Sequence, residues 1–396
     1  MYSKRNPFLL LLSLLCLMGM PGHAQTPVPV DENFRALTQS GSRILGLDYD
    51  GKVFVLGEVE PSLVHTINGE FDDTYYALSA VGDTVMVVGS NALMARSGDA
   101  GDTWAEVEVR DAGGETIYVF GDLKALAGRA GDVPANNQWI AAGDDGDQGA
   151  VFSSNDDGIT WSEAVSIGGV EFSGATWSGS VRIVCGMNTF FEGVIYRSEN
   201  GDNWVAIVPS VPEGDEIPGP LLALAADDAG AVLAVGEGGI ILHSTDHGAT
   251  FQKIEANVSV DLSAVVATGP DSFVVGGDGK SLFQVSGTTF TELRESAGGA
   301  PPVEALLFAD GEVLLGGSFS AAPRTLPFQL QLEITSFGYR LTISEALSGK
   351  AYSLETSTTL QDWEPVGGSA KGGVGDPLQW NEPKDGTRRF WRVTEF

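Results

Sequence analysis

The sequence predicts an all-β protein, a seven-bladed β-propeller followed by a small β-sandwich. Three observations carry this. A short apolar segment containing Ala recurs seven times along the chain. A second apolar run with a Gly follows each one, and several of these units end in the same hairpin-turn motif. Repeats of about 40 to 50 residues with several short strands each, and no helical periodicity, describe propeller blades of four strands.

The repeat is anchored at Ala36, Ala77, Ala125, Ala175, Ala223, Ala264 and Ala305, with spacings of 41, 48, 50, 48, 41 and 41 residues. Small side chains fit where the innermost strands converge on the axis. The following Gly residues are Gly46, Gly89, Gly143, Gly186, Gly236, Gly276 and Gly316, as in Val85-Met86-Val87-Val88-Gly89. Closing the ring removes strand edges that would otherwise invite aggregation. The seventh unit shows only two clear strands, Val303 to Phe308 and Glu312 to Leu315, before Pro323 and Pro327. Residues 26–33 are the segment available to supply it with a missing strand.

The turn motif reads Ser-x-Asp-x-Gly-x-Thr-aromatic. Its full copies are Ser97, Asp99, Gly101, Thr103, Trp104; Ser154, Asp156, Gly158, Thr160, Trp161; and Ser244, Asp246, Gly248, Thr250, Phe251. A shortened copy runs from Ser198 to Trp204. The carboxylate and hydroxyls suit turn amides, Gly accepts a positive φ, and the aromatic can anchor the turn to its blade. The first unit has Gly57-Glu58-Val59-Glu60 in its place, and the sixth a degenerate Ser286-Gly287-Thr288-Thr289-Phe290.

These motifs resemble Asp-box (bacterial neuraminidase, BNR) repeats over roughly residues 34 to 317. In pattern the chain is most similar to propellers of the photosystem II stability and assembly factor type; sortilin-like and sialidase propellers share the box. The resemblance implies blades rather than a reaction. It also implies that the box residues are structural and lie at the blade periphery. In the assembly-factor type it implies a polypeptide partner held by a basic patch, which suits this acidic chain poorly.

Three domains are expected: a signal peptide at 1–24, the propeller at 25–327 and the C-terminal module at 328–396. Lys4 and Arg5, the apolar run Phe8 to Met20, and Gly22-His23-Ala24 read as an export signal cleaved after Ala24. Spanning a bilayer takes about 20 apolar residues, so no transmembrane segment is expected. The product is expected to be exported, periplasmic or extracellular, and monomeric. From Phe328 the alternation in Leu330 to Ile334 and Tyr339 to Ile343 reads as half-buried strands. The pattern Tyr352-x-Leu354-Glu355, Trp363 and Arg389-Phe390-Trp391-Arg392-Val393 resembles a small β-sandwich module at the end of exported bacterial proteins. Trp363, Trp380 and Trp391 read as its core rather than as a sugar platform.

The chain carries 22 basic and 53 acidic residues, net −31. Removing residues 1–24 leaves 20 against 53, net −33. Such a field repels phosphate backbones, so nucleic acid is not an expected partner, and a protein or a glycan is. Cys185 would be the mature chain's lone cysteine and reads as a small buried strand residue.

No catalytic set stands out, and the expected role is a non-enzymatic binding or scaffold module. The alternative is a sialidase-like glycoside hydrolase, or a lectin, using the axial face. A sialidase-like site needs three Arg on a carboxylate, and the candidates are Arg35, Arg43, Arg110, Arg129, Arg182 and Arg294. Arg96 and Arg197 precede boxes and belong at the rim. His65, His243 and His247 do not form a metal or triad pattern. No cofactor is expected. The acidic run Gly143 to Gly149 has oxygen ligands of the kind calcium takes, but reads better as a solvated turn.

Overall fold

The computed structural model describes residues 28–56, 62–66, 74–110, 116, 121–146, 148–210, 217, 219–294, 300–309, 312–317, 329–334, 338–344, 351–357, 364–371, 378–383 and 390–395; in 28–33, 312 and from 329 onward, the backbone only. The export signal, Cys16, residues 57–60, Trp363 and Arg388 and Arg389 lie outside these residues. The chain divides into compact units at 1–320 and 321–396. The boundary expected at 327/328 falls, with this one, in a stretch outside the described residues.

Alternating strands and tight turns make four-stranded antiparallel meanders, each running outward from an inner strand. Blade 1 begins within Val28–Ser40 and continues through Arg43–Asp48, Lys52–Leu56 and Ser62–Thr66. The inner strands of blades 2 to 7 are Tyr75–Val81, Leu123–Arg129, Val170–Ser178, Leu221–Ala226, Leu262–Gly269 and Ala305–Ala309. Each packs on the next, and the seventh packs on the first, which closes the ring. Helical structure among the described residues is limited to single 3-10 turns such as Ser90–Ala92.

Closure uses one long strand twice. Phe34 to Ser40 pairs antiparallel with Arg43–Asp48. The preceding stretch pairs parallel with the last blade, Val28 opposite Leu314 and Asn33 opposite Gly317. The N-terminal stretch therefore supplies the seventh blade's third strand, and a single segment covers an edge that would otherwise stay open.

The core is divided into wedges between neighbouring blades. Met86, Val88 and Met94 meet Leu123, Trp139, Phe152 and Trp161 between blades 2 and 3. Ile183, Cys185 and Ile195 meet Leu221, Leu224 and Phe251 between blades 4 and 5. The second strands are covered on both faces, so they are continuously apolar: all six residues of Thr84–Gly89 and all five of Val232–Gly236 are buried. Burial pushes the Cys185 thiol up to about 12, despite a hydrogen bond with Ser173. It is a packing residue, as expected.

The recurrent Gly has a physical cause that the repeat alone does not show. At Gly89, Gly143, Gly186 and Gly236 a Cβ would come within 2.0, 1.8, 1.9 and 2.1 Å of a carbonyl oxygen at the start of the inner strand, that of Thr74, Asp122, Glu171 and Pro220. In blade 6 this position is Gly277, not Gly276, with its Cβ 2.3 Å from Asp261 O. In blade 1 it is Asp48, opposite Phe34, and Gly46 is instead required by the Phe34 ring at 2.6 Å. The spacing rule misplaces these two by one and two residues. In blade 7 Gly316 stands opposite Ala305, as Gly276 stands opposite Ala264, so it too is one residue short.

The C-terminal unit consists of two three-stranded antiparallel sheets. One joins Gln329–Ile334, Gly338–Ser344 and Leu378–Pro383; the other joins Glu364–Lys371, Ala351–Ser357 and Phe390–Glu395. Trp380 stands opposite Leu341 and Trp391 opposite Thr356.

Candidate functional site

The inner strands begin with the same irregularity in six blades. One extra residue interrupts the pairing to the second strand at Arg35, Tyr76, Lys124, Ser173, Leu222 and Ser263. Such bulges re-aim a side chain and strengthen the local twist. Here all six line one cavity of about 690 Å³ around the ring axis, joined by Glu304 of blade 7. Ala36, Ala77, Ala125, Ala175 and Ala223 line it as well, small side chains from five inner strands. Asp122, Asp261 and Asp278 complete the acidic part of the wall.

The side chains of this ring fall into two arcs. Across blades 1 to 3, the Arg35 guanidinium lies 5.4 Å from the Tyr49 ring centroid and 4.8 Å from that of Tyr76, and donates to Tyr75 O at 3.2 Å. Burial raises the Tyr76 phenol, with Asp122 adding through its charge and a hydrogen bond. Lys124 pairs with Glu171 and, at 3.2 Å, with Asp144. Burial works against its charge, but these two carboxylates outweigh burial and raise its pKa. Across blades 4 to 7, Ser173 donates to Leu221 O at 2.5 Å and Ser263 to Val303 O at 2.7 Å. Arg35, Ser173 and Ser263 thus make one equivalent bond, each from a bulge to the carbonyl two residues before the next blade's repeat Ala. Asp261 accepts Gly238 N–H at 2.8 Å. Asp278 and Glu304 stand beside it without an ion pair among the described residues.

The opposite end of the inner strands carries the Ser-x-Asp turns. Third strands run parallel to first strands in each meander, so these turns sit away from the cavity. In blade 3, Ser154 Oγ donates to Asp156 Oδ1 at 2.8 Å, and Thr160 N–H and Oγ1 donate to the same carboxylate at 2.9 and 2.6 Å. Gly158 N–H donates to Ser154 Oγ at 3.0 Å and Trp161 Nε1 to Gly158 O at 3.1 Å. Blades 2 and 5 repeat the carboxylate network through Asp99 with Ser97 and Thr103, and Asp246 with Ser244 and Thr250. Thr103 and Ser97 hold Asp99 down at about 2. Asp156 and Asp246 are raised by burial but lowered more by the same donors. The motif carboxylates Asp99, Asp156 and Asp246 are spent on their own turns.

Each turn also latches to the preceding blade. Arg43 donates to Ala100 O at 3.2 Å, Arg96 to Asp157 O at 2.7 Å and Arg197 to His247 O at 3.0 Å. These three acceptors occupy one position, before the motif Gly, where φ is positive. Arg96 also pairs with Asp157, which Asn137 and Thr84 hold as well. The Arg preceding Ser in Arg96-Ser97 and Arg197-Ser198 was the available signal for this role. In blade 6 the degenerate copy is a two-residue hairpin, Ser286 opposite Thr289.

The six candidate arginines are dispersed. Among the described residues Arg35 is the one that lines the cavity. Arg43 is a latch, Arg110 pairs with Glu108, Arg294 donates to Lys280 O, and Arg129 and Arg182 flank Trp177 at the other end of the inner strands. No carboxylate clamp is assembled from them. His65 stacks on Trp104 at 4.7 Å, His243 meets Asp271 at 2.6 Å and His247 meets Ser178 at 2.9 Å. None of the three lines the cavity. The acidic run at 143–149 forms a hairpin with Asp145 opposite Gln148, and Asp144 turned to Lys124; Asp147 lies outside the described residues.

Solved structures share this architecture at low sequence identity. YCF48 bound to D1 peptide matches with a TM-score of 0.55 and 13% identity, over 74% of this chain and 92% of that one. YCF48 from Cyanidioschyzon merolae matches with 0.54 and 15%, over 74% and 96%. The WD40 propeller domain of Doa1 matches with 0.53 and 13%, over 74% and 92%. No protein-family model and no curated protein matches the sequence. The fold is a β-propeller.

Proposed function

We propose that this chain is an exported binding module whose propeller takes an extended polypeptide segment at the axial cavity, and that the preferred segment is basic. The observation that carries this is the bulge ring. One backbone device brings side chains from six blades into a single open cavity, while the motif carboxylates on the opposite face are spent on their own turns. Among the described residues Asp261, Asp278 and Glu304 make no ion pair, and they line the cavity together in a chain of net −31. Both favour a Lys- or Arg-bearing ligand and speed its capture. The solved YCF48 complex holds a peptide, which supports a polypeptide occupant. We read the Ser-x-Asp turns as Asp boxes and the chain as an Asp-box propeller, with residues 25–327 the propeller and 328–396 its appended module.

A lectin or glycosidase reading would use Arg35, Tyr76 and Asp122 of the same cavity. It offers one aromatic ring and one arginine, where a clamp for an acidic sugar needs more.

The test is capture by the full-length chain of peptide pools that are basic, neutral and acidic, beside a glycan and polysaccharide panel. Basic peptides should bind, and D278N with E304Q should weaken them by roughly tenfold, about 1.4 kcal/mol. Glycan turnover, or peptide binding indifferent to both substitutions, would reject the proposal.

A further inference from the structure

Two arginines on the face away from the cavity make no ion pair among the described residues. Arg129 ends the inner strand of blade 3, and Arg182 is the second residue of the second strand of blade 4, Val181–Asn188. Their guanidinium carbons lie 5.7 and 4.6 Å from the ring centroid of Trp177, which itself donates to Ala127 O at 3.2 Å. Arg182 is only 7% exposed, and its Nε is sealed from solvent with no hydrogen-bond partner. It packs against Gly201, where an added Cβ would come within 3.0 Å of the guanidinium carbon. Arg129 has a neutral partner, Gln138 Oε1 at 2.8 Å. Arg43, Arg96, Arg110 and Arg197 all reach carboxylates. Arg129 and Arg182 reach none among the described residues.

A buried charge without a partner is costly, and the cost grows with a second like charge nearby. Burial lowers the pKa of Arg182, and Arg129 lowers it further. Asp202 acts in the other direction through its charge, but makes no ion pair with it. Keeping two guanidinium groups together over an aromatic ring makes physical sense if an anion completes them. Guanidinium forks match planar carboxylates, and the ring supplies an apolar wall. The net charge of the chain disfavours a multiply charged phosphate or a polyanion.

We propose that Arg129, Arg182 and Trp177 form a carboxylate-binding site on the face of the propeller that carries the Ser-x-Asp turns. This site is separate from the axial cavity, and its success or failure is independent of the reading given to that cavity.

Calorimetric titration of the full-length chain with acetate, sodium sulfate, and two short peptides that differ only in a free or amidated C-terminus tests the site. Saturable binding of a carboxylate is expected, weakened by roughly tenfold or more in R129Q and in R182K. Binding of the free-acid peptide alone assigns the carboxylate to a chain terminus; equal binding of acetate assigns it to small free carboxylates. R129Q alters a partly exposed side chain, so it keeps the test valid if R182K fails to fold. Sulfate binding as tightly as any carboxylate overturns the assignment. So does the absence of saturable binding, or binding unchanged in R129Q.

Discussion

The two ends of the inner strands follow opposite rules. At the turn end the side chains repeat and the network is closed: Asp99, Asp156 and Asp246 accept from their own Ser and Thr. At the cavity end the backbone repeats and the side chains do not: Arg, Tyr, Lys, Ser, Leu and Ser occupy equivalent bulge positions in six blades. Repetition of chemistry marks what every blade needs to stand. Repetition of geometry with varied chemistry marks a surface free to specialise.

If that contrast is correct, stability should concentrate at one end. Trp161 fills the wedge between blades 2 and 3, and W161A should cost about 3–5 kcal/mol by urea unfolding, whereas L222A in the cavity should stay within about 0.5 kcal/mol. Equal losses would erase the contrast. The shared bulge can be probed through its glycine. G236A drives a Cβ to 2.1 Å from Pro220 O, while at Gly269 nothing lies within 4 Å; the first should cost about 1–3 kcal/mol and the second well under one. The carboxylate network should show in D156N, with a loss of about 1–2 kcal/mol from its hydrogen bonds.

The smallest effect is a pH dependence. The folded pKa of Asp99 sits near 2, below its ordinary 3.8, so the unfolded state binds more protons in that window. Its contribution is complete above the unfolded value and is lost as pH falls from about 4 toward 2. D99N should flatten the acid limb of the stability curve between those values, and carboxyl NMR should place the Asp99 titration near 2. An Asp99 that titrates near 4 would separate blade 2 from the network described.

Residue chemistry alone carried the ring, because packing demands recur every blade: small Ala near the axis, apolar runs where both sheet faces are covered, and Ser, Asp, Gly and Thr where a turn must satisfy itself. The role of residues 28–33, within the 26–33 expected, was legible too, since a seventh unit with two strands leaves an edge to cover. Other features depended on contacts between residues far apart in the chain. The bulges turn on pairing register, which slides by one residue without altering the apolar pattern, so the glycines of blades 1, 6 and 7 were misplaced and the cavity ring went unseen. Arg35 was one of six equivalent arginines until the fold put it alone at the axis and turned Arg43 to a latch. Local sequence determined which segments are strands and which are turns, because those preferences act over a few residues. Only the tertiary structure decided which side chains share the axial cavity, and set Arg129 and Arg182 beside Trp177 with no ion pair among the described residues, because those juxtapositions arise when distant blades close into one ring.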